Sequence, residues 1–202
     1  MSAAGVGRAA VAVGLLALAA CAPVRVRESP AALAAQHARE VQRAAHPAWS
    51  LSAHAFVSDG AQNSGSGDLQ WSERAAGYSF TLRAPNGKTW KLGGDGRNAV
   101  LEGVEAQPVR GDDPQRLLRE KLGWDVPLTG LSFWVRGMQR PGAPGVFQFD
   151  ANGLPAQLEQ DGWKIEYRDW FVDRDPPLPR KVYATRGNAR VKLAIDNWSI
   201  DD

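Results

Sequence analysis

The side chains of this 202-residue chain that could carry out chemistry are few and badly placed for it. His37, His46 and His54 all fall in the first quarter of the sequence, and none has a Cys, Asp or Glu at metal-ligand spacing, so no metal centre is expected. Ser64-Gly65-Ser66-Gly67 sets hydroxyls beside glycine, but Gln62 and Ser64 stand where a G-x-S-x-G nucleophile turn needs glycine, and the stretch reads as a loop. Asp112-Asp113 before Pro114 reads as a helix cap, and Asp173-Arg174-Asp175 among prolines reads as a solvated turn. Gly93-Gly94-Asp95-Gly96 leads into a strand pattern, whereas a phosphate-binding loop opens a helix. The expectation is a protein without catalytic activity and without a cofactor. The one remaining reactive group is Cys21, the only cysteine, which has no partner for a disulfide.

Cys21 ends an apolar run from Ala9 to Ala20 that follows a short start bearing Arg8. The run is too short to span a bilayer and fits the core of a secretory signal. Leu18-Ala19-Ala20-Cys21 is similar to a bacterial lipobox, which implies cleavage after residue 20 and acylation of Cys21. The next residue is Ala22 and not Asp, which in Gram-negative sorting implies release toward the outer membrane. Residues 1–20 are thus expected to be a signal, 21–29 an acylated tether, and 30–202 one domain. The seven residues Ala22 to Glu28, at about 3.3 Å each, reach roughly 23 Å.

Lys plus Arg number 24 and Asp plus Glu 22, too even a balance to hold a nucleic acid by bulk charge. Eight Trp against three Tyr make aromatic surface the unusual resource. The elements that would position it follow from periodicity. Ser29-Pro30 opens a helix over Ala31 to Ala45, with Leu33, His37 and Val41 on one face. From Trp49 the period becomes two, and alternating segments recur around Leu51, Trp71, Phe80, Trp90 and Leu101. Two helices, Pro114 to Leu122 and Pro127 to Arg136, interrupt. Alternation resumes at Phe147, Leu158, Trp163, Val182, Val191 and Trp198, with Asn152-Gly153, Asp161-Gly162 and Gly187-Asn188 as turns.

Ten or eleven strands joined by short turns predict a mainly β fold with some α: an antiparallel sheet that curls as its twist accumulates. Three helices are too few for a second layer and suffice to cover an incomplete barrel as a lid. An inward face of Trp, Phe and Leu under a partial cover predicts an apolar cavity.

The order of several segments after the lipobox resembles the LolB family of outer-membrane lipoproteins. They are Trp49-Ser50-Leu51-Ser52, Gly67-Asp68-Leu69-Gln70-Trp71, Ala84-Pro85-Asn86-Gly87, Pro127 through Gly137, Gln160 through Tyr167, Leu178-Pro179-Arg180 and Val191 through Trp198. The resemblance implies a half-open barrel whose cavity takes the acyl chains of cargo lipoproteins handed over by a LolA-like periplasmic carrier. It also implies a lipid-anchored, periplasm-facing monomer at the inner leaflet of the outer membrane. On this reading the cavity residues are Trp71, Phe80, Leu82, Trp90, Leu92, Leu101, Leu131, Trp134, Trp163, Tyr167 and Trp198, and the membrane-insertion turn is Pro85-Asn86-Gly87. The alternative is a hydrophobe-binding sensor or scaffold that transfers nothing.

Two positions depart from the family pattern. Asn86 stands where the family carries an apolar residue, usually Leu, and Asn is a poor membrane wedge, which leaves Trp90 as the residue to reach the bilayer instead. Ala53-His54 replaces the family's usual Gly-Arg, so a role given to that Arg does not transfer.

Overall fold

The computed structural model describes residues 26–27, 30–95 and 97–200, so the expected signal, Cys21 and most of the tether lie outside the described residues. Along the chain come β1 (Val26–Arg27), α1 (Pro30–Ala44), β2 (Trp49–Ser58), β3 (Ser64–Arg74), β4 (Gly77–Arg83), β5 (Thr89–Gly94), β6 (Ala99–Glu102) and β7 (Val109–Gly111). There follow α2 (Pro114–Leu122), α3 (Leu128–Trp134), β8 (Gly145–Phe149), β9 (Pro155–Gln160), β10 (Trp163–Phe171), β11 (Leu178–Arg186) and β12 (Ala189–Ile200).

The strands form one antiparallel sheet in the order β1-β8-β9-β10-β11-β12-β2-β3-β4-β5-β6-β7. Two meanders are joined where β12 pairs β2, from Trp49 opposite Ile200 to Ser58 opposite Arg190. The sheet ends at β1 on one side and β7 on the other, so the barrel is incomplete, as periodicity predicts. Of its twelve strands, β1 and β7 are short edge strands that alternation does not reveal, and β1 falls inside the segment read as a tether. The last two apolar groups belong to one strand. Val191, Leu193 and Ile195 alternate inward, a bulge between Ile195 and Asn197 changes the parity, and Trp198 then faces the core at 2% exposure.

Local signals explain most element ends. Asp161 at φ 54 and Gly162 at φ 74 form the two-residue turn that a tight β9–β10 hairpin requires. The Asp113 carboxylate accepts the Arg116 N–H at 3.0 Å and caps α2, as the Asp-Asp-Pro sequence predicts. At the other end Gly123 adopts φ 71 and Trp124 N–H donates to Leu118 O at 3.2 Å, the C-terminal motif that turns the following hydrophobic residue back onto the helix.

Two expectations need correction. Ser64–Gly67 is not loop: Gly65 pairs with Val57 and Gly67 with Ala55 in the β2–β3 ladder. Helix α1 forms as expected but turns its apolar stripe outward, with Leu33 at 39% and Val41 at 57% exposure. Its buried side chains are Gln36 and Arg43. They dock on loop carbonyls, Gln36 Nε2 donating to Gly137 O at 2.8 Å and Arg43 to Gly137 O at 3.1 Å, while Arg39 donates to Gly153 O at 2.7 Å. A surface of exposed carbonyls selects the donor-bearing face of the helix over the apolar one.

Candidate functional site

Between the β2–β6 half of the sheet and the α2–α3 segment lies a cavity of about 90 Å³. Its floor is built by alternation. Leu69 and Trp71 on β3, Phe80 and Leu82 on β4, Trp90 and Leu92 on β5 and Leu101 on β6 project from one face, continued by Val57, Val191 and Leu193 at the β2–β12 junction. The roof is Leu118 of α2, Leu128 and Leu131 of α3, and Trp124 and Val126 between the two helices. Every lining residue is Ala, Val, Leu, Phe or Trp, so the space can solvate hydrocarbon and offers nothing to a charge. A cavity of about 150 Å³ takes one benzene. At about 90 Å³ the space admits a few methylene groups and no complete acyl chain.

Trp124 closes it. The indole is 6% exposed, sits 5.2 Å from the Trp90 ring between centroids, and lies on the bare backbone of Gly65. A Cβ at Gly65 would come within 2.2 Å of Trp124 Cζ2, so a glycine in strand β3 is what lets the roof seat against the sheet. Next to it Asp125 is ion-paired with Arg186, and Lys121 reaches Glu105 at 2.8 Å, both outside the apolar space.

Seven of the eleven expected cavity residues, Trp71, Phe80, Leu82, Trp90, Leu92, Leu101 and Leu131, line this space. The remaining four do not. Trp134 is fully buried, donates Nε1–H to Gln160 Oε1 at 2.8 Å and packs 6.2 Å from Trp163. Tyr167 donates its hydroxyl to Trp134 O at 3.1 Å, and burial pushes its pKa far up. Trp198 donates to Pro179 O at 3.0 Å and packs against Trp49 at 5.5 Å. Trp134, Tyr167 and Trp198 are buried with their indole or phenol donors satisfied, and Trp163 packs between the Trp134 ring and the Arg186 guanidinium, so these rings are core of the β8–β12 half. Sequence reasoning missed Trp124, although its position just past a capping glycine is the signal that such a residue folds back.

The β4–β5 turn projects at the surface. Pro85, Asn86 and Gly87 are exposed, Gly87 has φ +84, and Asn86 Oδ1 accepts the Lys88 N–H at 3.0 Å, which spends the side chain on the turn itself. Trp90 does not reach outward as a substitute wedge. Its ring is in the cavity wall against Trp124, with Lys88 Nζ 5.0 Å above it. His54 is exposed and pairs across strands with Asp68 at 2.8 Å. Among the described residues no three His, Cys, Asp or Glu side chains gather as a metal site, and no helix is long and apolar enough to cross a membrane.

Residues 47–198 match the family model described as "Outer membrane lipoprotein LolB". The chain is 36% identical over 182 residues to the outer-membrane lipoprotein LolB of Xylella fastidiosa strain Temecula1, an alignment covering 88% of this chain and 83% of that one. It is 34% identical over 178 residues to the protein of the same name from Xanthomonas campestris pv. campestris strain B100, covering 85% and 81%. Among solved structures, a LolA superfamily protein from Nitrosomonas europaea superposes with a TM-score of 0.50 at 11% identity, covering 85% of this chain and 94% of that one, a likeness of fold.

Proposed function

The chain belongs to the LolB family, and on that premise we propose that it is an outer-membrane lipoprotein that takes the acyl chains of other lipoproteins into its apolar cavity and delivers them to the membrane. The observation that carries this reading is the all-apolar space between the sheet and the α2–α3 segment. Three acyl chains of about sixteen carbons, at about 0.8 kcal/mol per buried CH₂, amount to about 38 kcal/mol, which keeps bare cargo from crossing water. A LolA-like periplasmic carrier supplies the cargo, and transfer follows from a difference in affinity for the chains, with no nucleotide required. Cys21, once acylated, anchors the protein at the inner leaflet with the domain facing the periplasm. Because a space of about 90 Å³ is too small for a complete acyl chain, loading displaces Trp124 and the α2–α3 segment.

A second reading is favoured by Asn86. A polar tip whose amide oxygen is engaged in its own turn suits a hydrophobe-binding sensor better than an insertion device. A transfer assay separates the two: purified carrier loaded with a labelled lipoprotein is mixed with outer-membrane vesicles bearing this protein. Cargo that appears in the vesicle fraction supports delivery. Cargo that stays on the carrier, with the apolar cavity still binding free fatty acid, leaves the sensor.

A further inference from the structure

A second cavity, of about 550 Å³, lies at the C-terminal end of α1, between the β10–β11 connection and the end of β12. Arg43 and Arg136 line it at only 3% and 6% exposure. A guanidinium stays charged at neutral pH, so each should be compensated. Neither has an ion pair among the described residues. Arg43 donates to Gly137 O and Pro177 O, and Arg136 spends Nη2 on Arg43 O and His46 O. The Nε–H of both has no partner among the described residues. Arg174, from the turn read as merely solvated, completes the lining and donates to Trp198 O at 3.1 Å. Burial lowers the pKa of Arg43 and of Arg136 to about 10, a mark of charge held where water is scarce.

The groups that offset these charges are Asp175 in the same lining, Glu40 on α1 near Arg43, Glu73 beyond Arg136 in a neighbouring cavity of about 230 Å³, the carbonyl end of α1, and the Trp170 and Trp49 faces 5.7 and 5.9 Å from the Arg43 and Arg136 guanidiniums. Glu73 is partly spent on the Trp71 indole at 3.0 Å. Three guanidiniums around one space match an anion with three or more acceptor oxygens better than a two-oxygen carboxylate. We infer that this cavity binds a phosphate group, carried by a phospholipid headgroup or by a soluble phosphate ester. Leu178 and Ile200 in the same lining give an attached glyceride an apolar wall.

The test uses the full chain in a neutral detergent, at ionic strength held constant with sodium chloride. Titrated inorganic phosphate binds saturably and shifts the ¹⁵N resonances of the Arg43 and Arg136 Nε–H groups. Arg174→Ala, which removes no helix-docking contact, weakens binding about tenfold or more, while Lys91→Ala, at an exposed side chain of β5, leaves it unchanged. Dihexanoylphosphatidylglycerol binding at least about tenfold tighter than glycerol phosphate assigns the lipid source, and equal binding assigns the soluble ester. Equal resonance shifts with chloride alone, or an Arg174→Ala variant that binds as the parent, would overturn the site. So would phosphate binding that appears only after Asp201→Asn and Asp202→Asn together, since those acids follow Ile200 in the sequence and would then be its occupant.

Discussion

Trp124→Ala should make the apolar cavity fill faster. Fully burying a Trp removes about 150–250 Å² from water. At about 25 cal/mol per Å² that is about 4–6 kcal/mol as an upper bound, and core Trp truncations cost about 3–5 kcal/mol. Trp124, at 6% exposure, packs on Gly65 and against the Trp90 ring, so contact energy with the sheet is present when the roof is seated and lost when it lifts. Losing about 3 kcal/mol from the closed state raises the open fraction by about a hundredfold, and uptake gated by opening accelerates in proportion. Stopped-flow fluorescence of N-phenyl-1-naphthylamine, mixed with parent and variant, reads that rate directly. Gly65→Ala attacks the same seat from the sheet, since its Cβ would stand 2.2 Å from the indole and lift the ring without removing apolar area. Both variants should take up dye faster, by at least tenfold for Gly65→Ala. Parental uptake rates in both, alongside a lowered melting temperature, would show that Trp124 is structural filling and that the roof does not gate the cavity.

Three other outcomes follow from the same geometry. Trp134→Ala should lower stability by about 3–5 kcal/mol in urea unfolding yet leave dye affinity within about twofold, because that ring is core and not cavity wall. If the β4–β5 turn acts at the bilayer, Asn86→Leu should raise the rate of delivery into vesicles and Asn86→Glu should lower it, and equal rates for both variants and the parent would remove the turn from the mechanism. In alkali, burial holds the Tyr78 hydroxyl up at about 12 and pushes Tyr167 higher still. A group whose folded pKa is raised contributes stability that is complete below its unfolded pKa of about 10 and is lost as pH climbs through the folded value. Urea midpoints should therefore fall between about pH 10 and 12, and flat midpoints across that window would contradict the burial of both phenols.

Strand existence and facing are legible wherever one face is apolar. Trp71, Phe80, Leu82 and Leu92 alternate in sequence and point together in space, because a pleated strand has no other way to place them. Ser64–Gly67 was illegible for the opposite reason. Its residue types favour loops, and the seat for Trp124 that requires glycine there exists only after the chain has folded. The polar docking of α1 was hidden in the same way, since the carbonyls of Gly137, Gly153 and Pro177 come from distant parts of the chain.

The amino-acid order by itself settled an open antiparallel sheet with an aromatic inner face and two helices interrupting it, the first of them capped at both ends, because these rest on short-range spacing and turn chemistry. Which aromatics fill the interior and which line free space was decided only by tertiary structure. Trp163, Tyr167 and Trp198 face inward from their strands as Trp71 and Trp90 do, but they pack with Trp134 of α3, Trp49 and the backbone of Pro179, so they are core and line no part of the apolar space. Parity gives each side chain its direction; whether anything stands opposite depends on residues remote in sequence.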